Sequence, residues 1–468
     1  MAKNKYFKVS ITVLSALIVS ACASVPSDRG IGEVEKIYGE QAQGTYRLPR
    51  TGEPLPMTRD KLGDLLKEPL SIDTAERISI EANPVVKAKL ANVGIAEADY
   101  AQAGRMENPG LSYERFSQEE NSTTLLFDIG GVLLMPLKRR VEAGRLELAR
   151  YQAARDVMSH VADTRKAWIN AVAEKQQTAL IRRAVETAET SNNLTRQMAA
   201  LGHSNVIKAA QSELVLGELQ STLIRQQVKE QASREMLIRQ LGLWGEQARA
   251  FSVPDQLPSL PVQPVEIPAV EQEAVRGRLD VQIAKLNLET LAKNLKLTQL
   301  NPFLSVIELG PKWEKAEGER ERGYEIELRL PIFDAGGVKT EKARIIFDQA
   351  QAQAEATAMA AASAARQALT TYQSSWEIAN YMQTQMLPIR QRISAERLLQ
   401  YNGMLISVFD LLSNLLSATT MESDYVNAMR DFWLADAGLQ NALTAAGDGE
   451  MNLSGSAMMA ANDDGAGH

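Results

Sequence analysis

Cysteine is nearly absent from this chain of 468 residues. Cys22 stands alone, which excludes an internal disulfide and any cysteine-based metal cluster. Histidine is almost as scarce. His160, His203 and His468 lie far apart in sequence, so no histidine-based catalytic or metal centre is expected. Aromatic residues make up only 5%. No apolar run reaches the roughly 18 residues that a membrane-spanning helix requires. Motifs that carry chemistry are missing too, with no GxxxxGK(S/T), HExxH, GxSxG or CxxC pattern. The glycine pairs Gly130-Gly131 and Gly336-Gly337 lack the rest of a phosphate loop and read as turns. With 58 acidic against 51 basic side chains, the net charge of −7 has the wrong sign for a nucleic-acid-binding face. The expectation is a protein that is not an enzyme and has no cofactor, no metal and no nucleic-acid partner.

Ala, Gln, Glu, Arg and Leu fill long stretches instead, which is the palette of long helices with thin, close-packed seams. The start of the chain is an address. Lys3, Lys5 and Lys8 precede a mostly apolar run from Val9 to Val19, too short to span a bilayer and proportioned like a signal-peptide core. It ends in Val19-Ser20-Ala21-Cys22, which resembles a bacterial lipobox. That likeness implies cleavage before Cys22 and a lipid on its sulfur. Residue 23 is Ala rather than the Asp that tends to retain lipoproteins at the inner membrane.

Prolines and glycines divide the rest. Residues 1–21 read as a lipoprotein signal peptide, and 22–71, rich in Gly, Pro and charge, as an extended arm. A first repeat spans 72–253 and a second 269–446, with a connector at 254–268 that holds Pro254, Pro258, Pro261, Pro264 and Pro268. Residues 447–468 read as a disordered tail. Each repeat opens with a helical stretch, reaches an Asn-Pro (Asn108-Pro109, Asn301-Pro302), and continues through short β-like runs to a Pro-apolar pair (Pro136-Leu137, Pro331-Ile332). The near-equal offsets of these pairs suggest a duplicated unit. FDIGGV at 127–132 and FDAGGV at 333–338 also match, but at a larger offset that would lay a strand over a helix start. This reading leaves them unaligned.

Long helices follow. No proline interrupts 137–253, and Val157, Val161, Trp168, Val172 and Ala179 recur on one side of a helix. Gly202 breaks the first long helix. Gly403 breaks the second, which Pro388 should kink. Alanines crowd 350–365 and permit close helix approach. The β runs are short. Tyr324, Ile326, Leu328 and Leu330 alternate with Glu325, Glu327 and Arg329, apolar on one face and charged on the other. Leu125, Phe127 and Ile129 repeat the pattern, as do 109–116 and 303–309 more weakly. Such alternation fits a half-buried antiparallel strand or a strand of a water-filled barrel in lipid. Two strands per repeat make four per chain, too few to close a barrel around a channel, so a barrel would have to be shared among chains.

The lipobox, the twofold repeat, NPGLSYERF and NPFLSVIEL at strand starts, RLPIFDAGGV at a strand-to-helix junction and YNGMLISVFDLL at the second hairpin tip together resemble the TolC-type outer-membrane efflux proteins over about residues 72–446. The resemblance implies a mainly α fold with a small β part. Long helical hairpins of three chains would form a periplasmic α-barrel, and four strands from each a 12-stranded outer-membrane β-barrel. It implies a homotrimer, lipid-anchored through Cys22, that serves as the exit duct of a tripartite efflux pump together with a periplasmic adaptor and an inner-membrane transporter. A duct for type I protein secretion, and a structural periplasmic coiled-coil lipoprotein, are the alternatives. The family's tip gate of a Tyr and two acids falls on Tyr401, Asp410 and Ser413. Its arginine falls on Ile406, and the acid of the first hairpin on Lys208, so the gate network is altered. Asp410 is expected to bond Tyr401 or Lys208, either within a chain or across chains. Leu201 and Gly202 in the first tip, and Gly403, Met404 and Leu405 in the second, resemble the adaptor-binding turns, with both glycines supplying the positive φ of a tight turn.

Overall fold

The computed structural model describes residues 25–41, 46–117, 120–202, 205–304, 307–316, 319–328 and 335–445. Cys22 and the signal segment, His203, the 331–334 junction and the tail from 446 lie outside the described residues. Two short helices, α1 (Ile31–Gln41) and α2 (Arg59–Leu65), lead into α3 (Ile72–Glu81) and α4 (Pro84–Ala103). The hairpin β1 (Gly110–Arg115) and β2 (Asn121–Asp128) follows, then α5 (Ile129–Ala200), α6 (Val206–Leu241) and the single turn α7 (Glu246–Ala250). The second half runs α8 (Val270–Gly277), α9 (Leu279–Leu304), β3 (Ile307–Ala316), β4 (Glu319–Leu328), α10 (Gly337–Tyr381), α11 (Leu387–Asn402) and α12 (Val408–Thr444). Each half is therefore helix, strand, strand, long helical hairpin. The four strands form one antiparallel sheet in the order β1-β2-β3-β4.

The described residues of 22–71 do not form the extended arm expected from their composition. Ile31, Val34, Tyr38 and Leu48 are buried against Ile80, Val86, Leu90, Ala154 and Val157. Met57, Leu62, Leu66 and Leu70 pack with Ile78, Trp168, Val172, Leu237 and Leu241. The apolar spacing of α1 and α2 outweighs the glycines and prolines around them. Trp168 fixes this layer by donating its indole N–H to the Leu70 carbonyl at 2.7 Å.

The long helix α5 has 72 residues, about 108 Å at 1.5 Å per residue. It begins at Ile129, so Pro136 lies inside the helix and does not end the strand region. Asp128 caps α5 by accepting from the Gly131 N–H at 2.7 Å. FDIGGV therefore stands at a strand-to-helix junction, while the described part of FDAGGV, 335–338, carries the N-cap Gly336 and the first two residues of α10. The run 303–309 is corrected likewise: Phe303 and Leu304 close α9, and β3 begins at Ile307. Along α5, Val157, Trp168 and Val172 are buried as expected, but Ala179 is exposed and Leu180 is buried. At this level the packing partner has become α12, to which Gln177 donates at the Ser423 carbonyl, 2.7 Å away.

In the second half, Ala361 and Ala365 are fully buried, and Ala365 packs against Val270 and Ala274 of α8. Pro388 has no N–H for the Thr384 carbonyl. The chain answers with a π turn over Met382–Met386, where the Leu387 N–H bonds the Met382 carbonyl. The Pro-rich connector straps these helices together. Proline keeps its carbonyl, and two indoles use it: Trp376 donates to Pro261 at 2.9 Å and Trp433 to Pro258 at 3.1 Å. Beneath the strap Tyr372 and Phe432 stack with ring centroids 5.4 Å apart.

Candidate functional site

The two ends of the molecule carry the features that matter. At one end is the sheet, whose pleat separates two chemistries. One face holds Leu111, Tyr113, Leu125, Phe127, Ile307, Leu309, Pro311, Trp313, Tyr324, Ile326 and Leu328, which the register sets side by side. Most of these are exposed. The opposite face holds Ser122, Thr124, Asp128, Glu308, Glu325 and Glu327. Ser122 and Thr124 are buried and the carboxylates half-buried. Thr124 donates to Glu325 at 3.0 Å, and Lys312 lies 3.6 Å from the same carboxylate. At the helix end of the sheet a polar face is covered while the apolar face is exposed, which inverts the arrangement of a water-soluble sheet, and toward the turns Glu114, Glu314, Glu319 and Glu321 of the polar face are exposed. Gly310 allows the close approach of β3 to β2, since a Cβ there would lie 1.7 Å from the Leu125 carbonyl oxygen.

At the far end are the hairpin tips. In the first, Gly202 takes φ +75° and its N–H bonds the Ala199 carbonyl at 3.1 Å. Asn205 then opens α6 by accepting from Ile207 at 2.9 Å. In the second tip the expected role of Gly403 is corrected. Gly403 has φ −79°, and Met404 takes the left-handed conformation at φ +59°. The Leu405 N–H bonds the Gln400 carbonyl at 2.8 Å and that of Met404 bonds Tyr401 at 2.9 Å, a Schellman closure with methionine where glycine is usual. A Cβ in this conformation costs about 1–2 kcal/mol. Leu201, Met404 and Leu405 are 73%, 93% and 77% exposed.

Within one chain Asp410 makes neither of the expected gate bonds. The Asp410 carboxylate accepts from the Ser407 N–H at 3.0 Å and the Ser407 hydroxyl at 2.7 Å, while the Asp410 N–H bonds back to that hydroxyl at 3.3 Å. This is a capping box at the start of α12. Among the described residues neither Tyr401 nor Lys208 bonds Asp410. Lys208 instead places its ammonium 5.4 Å from the Phe409 ring centre, joining the two hairpin tips through a cation–π contact. The Ser407 hydrogen bonds hold the Asp410 carboxyl below the ordinary carboxylate range, with lesser help from Arg397 and Lys208. Ser-x-x-Asp before an apolar run was the missed signal. Among the described residues no cluster of His, Cys, Asp or Glu could hold a metal, and no helix is long and apolar enough to cross a membrane.

No family model and no curated protein sequence matches the chain. Solved structures do. The CmeC outer membrane channel of Campylobacter jejuni superposes with a TM-score of 0.69 at 13% identity, over 88% of this chain and 92% of that one. CusC, whose crystal structures concern folding and transmembrane channel formation, gives 0.66 at 17% identity, over 86% and 99%. The MtrE outer membrane channel of Neisseria gonorrhoeae, in its open state, gives 0.64 at 14% identity, over 87% and 99%. The fold is that of an outer-membrane channel. More narrowly, it is the TolC-type arrangement of long helical hairpins below a four-stranded sheet.

Two outcomes follow from the tips. Gly202→Ala should cost about 1 kcal/mol of local stability, because alanine resists the left-handed region. Gly403→Ala should be neutral, and Met404→Gly should gain up to about 1 kcal/mol. Amide exchange across each turn would measure this, and equal damage from Gly202→Ala and Gly403→Ala would overturn the assignment. The second outcome concerns pH. The folded carboxyl of Asp410 is depressed, so its capping contribution is complete above the unfolded value near ~4 and is lost as pH falls through the lower folded value. Exchange in the first turn of α12, corrected for intrinsic rates, should rise in that acid window and lose its pH dependence in Asp410→Asn. A window unchanged by the substitution would remove Asp410 from the cap.

Proposed function

We propose that this chain is a member of the TolC-type outer-membrane efflux family and acts as a passive exit duct, without chemistry of its own. The observation that carries this reading is the sheet: one face is apolar and mostly exposed, the other is acidic and polar and half-buried toward the helices, and among the described residues both outer strands have a free edge. In lipid such a sheet needs its edges paired, and copies of the same chain supply β1 for β4. Three copies give a 12-stranded barrel with the carboxylates lining water, and strands of ten residues, as β3 and β4 have, suit a tilted membrane span. Below it the hairpins of two repeats, 72–253 and 269–446, form the periplasmic tube. The connector at 254–268 girdles it, and lipid on Cys22 anchors the start of the mature chain in the outer membrane. The exposed tips at Leu201, Gly202, Gly403, Met404 and Leu405 meet a periplasmic adaptor, which links the duct to an inner-membrane transporter. Tyr401, Asp410 and Lys208 stand near the mouth. There Asp410 acts as a helix cap whose charge, repeated three times, favours cations.

Ile326→Arg sets a charge on the lipid face, at about 2–4 kcal/mol per copy near the membrane midplane. It should abolish the detergent-resistant trimer, whereas Glu314→Gln on the polar face should leave trimer and bilayer conductance intact. Equal tolerance of both would mean that the sheet does not meet lipid. For the anchor, Cys22→Ser should eliminate fatty-acid labelling of the protein in cells. Label retained by the substituted chain would remove the lipoprotein reading while leaving the channel untouched.

A further inference from the structure

The apolar face of the sheet does not end in polar neutral residues. Two residues beyond the row that pairs Tyr113 with Thr123 and Thr123 with Trp313 comes a row of cations. Arg115 pairs with Asn121, Asn121 with Lys315, and Lys315 with Arg320. Arg322 stands beside Trp313 one step nearer the apolar band. All four cations project on the apolar side, at the end that carries the β1–β2 and β3–β4 turns. Among the described strand residues no acid shares that face; Glu114, Glu314, Glu319 and Glu321 alternate onto the other side. Among the described residues none of the four forms an ion pair, and Arg115 donates one N–H to the Ser117 carbonyl at 3.2 Å. Lys315 and Arg320 lie directly opposite, about 5 Å apart across neighbouring strands. Like charges so placed destabilise a sheet unless an anion lies between them.

We propose that this row binds the phosphorylated headgroups of anionic lipids in the leaflet that surrounds the hairpin turns. The inference rests on the membrane reading of the sheet. It adds to that reading the charge of the lipid that the protein selects. The order along the strands supports it. An apolar band passes into amphipathic aromatics, Tyr113 and Trp313, and then into cations, which is the order of hydrocarbon, interface and headgroup. A soluble polyanion would satisfy the cations but leave the adjoining aromatic row against water. A phosphorylated lipid satisfies both with one molecule, its phosphate between Lys315 and Arg320 and its chains along Trp313 and Leu309. In a closed barrel the row recurs around the rim and makes a continuous cationic collar.

Trp313 offers a probe, because the other tryptophans, Trp168, Trp244, Trp376 and Trp433, lie outside the sheet. Full-length protein would be reconstituted into phosphatidylcholine vesicles containing equal fractions of nitroxide-labelled phosphatidylglycerol or nitroxide-labelled phosphatidylcholine, with Trp313→Phe as background. Wild type should show a preference for the anionic lipid of roughly fivefold, the factor that one basic side chain contributes at a charged surface. The combined variant Arg115→Gln, Lys315→Gln, Arg320→Gln should lose it, and Glu314→Gln should keep it. Arg320→Gln alone should lower it and serves where the combined variant does not assemble. The preference should persist in sodium phosphate as in sodium chloride of equal ionic strength. Its selective loss in phosphate would assign the row to a free ion and overturn the lipid. Equal quenching by both lipids in wild type, or a preference that survives in the combined variant, would overturn the proposal and leave the channel reading standing. No quenching by either lipid would overturn both.

Discussion

Two sheet edges govern this molecule. β1 and β4 are the edges of the only sheet among the described residues, and each has a neighbouring strand on one side only. In water such an edge is a liability. In lipid it costs several kcal/mol for every unmet group, so the sheet is viable there only when closed on itself or on copies. Four strands cannot close alone around water. The proposed oligomer, the duct and the cationic collar all descend from that constraint. The β2–β3 pairing that joins the two halves is equally sensitive, because Gly310 sits where no side chain fits.

The helices pack on one another through core clusters that contain no strand residue, and a small number of polar ties lock them. Arg165 of α5 bonds Glu76 of α3 at 2.7 Å and also donates to Gln440 of α12, so one guanidinium holds both halves. Arg150 pairs with the buried Glu97 at 2.7 Å. Arg278 donates to the Ala442 carbonyl at 3.1 Å and to Asp280 at 2.9 Å, tying the start of α9 to the end of α12. Buried charges of this kind add little net stability when paired, yet they are costly to break, and they specify one arrangement among many compact ones. Small residues then let the long helices approach, and the Pro-rich strap binds them from outside through the two indole donors.

Much of this was legible from residues alone. The proline-free stretch gave α5 and α6, the glycines marked both hairpin breaks, the second-half proline stands just after a π turn, and strict alternation gave β4 with its apolar face. The misreadings share a cause. A proline was taken as a boundary at Pro136, which the structure places inside α5. A Pro-Phe-Leu run was read as strand when it completes α9, and glycine-rich composition hid the helices at 31–41 and 59–65. At the tips, residue type was trusted over position. Gly403 stands one place before the left-handed site, and Asp410 belongs to Ser407 three residues back.

What the sequence by itself determined is local: where helices run, where they break, and which strand face is apolar. These follow from period, propensity and capping, all of which act within a few residues. Only the tertiary structure decided that the apolar face is the exposed one and that cations from three strands fall into one row. It also decided which residue at each tip carries the positive φ. The first two depend on register and burial, which are set by contacts between residues up to some two hundred positions apart, such as Thr124 and Glu325. The third depends on how each turn closes, through bonds such as Leu405 to Gln400 whose geometry residue type alone does not fix.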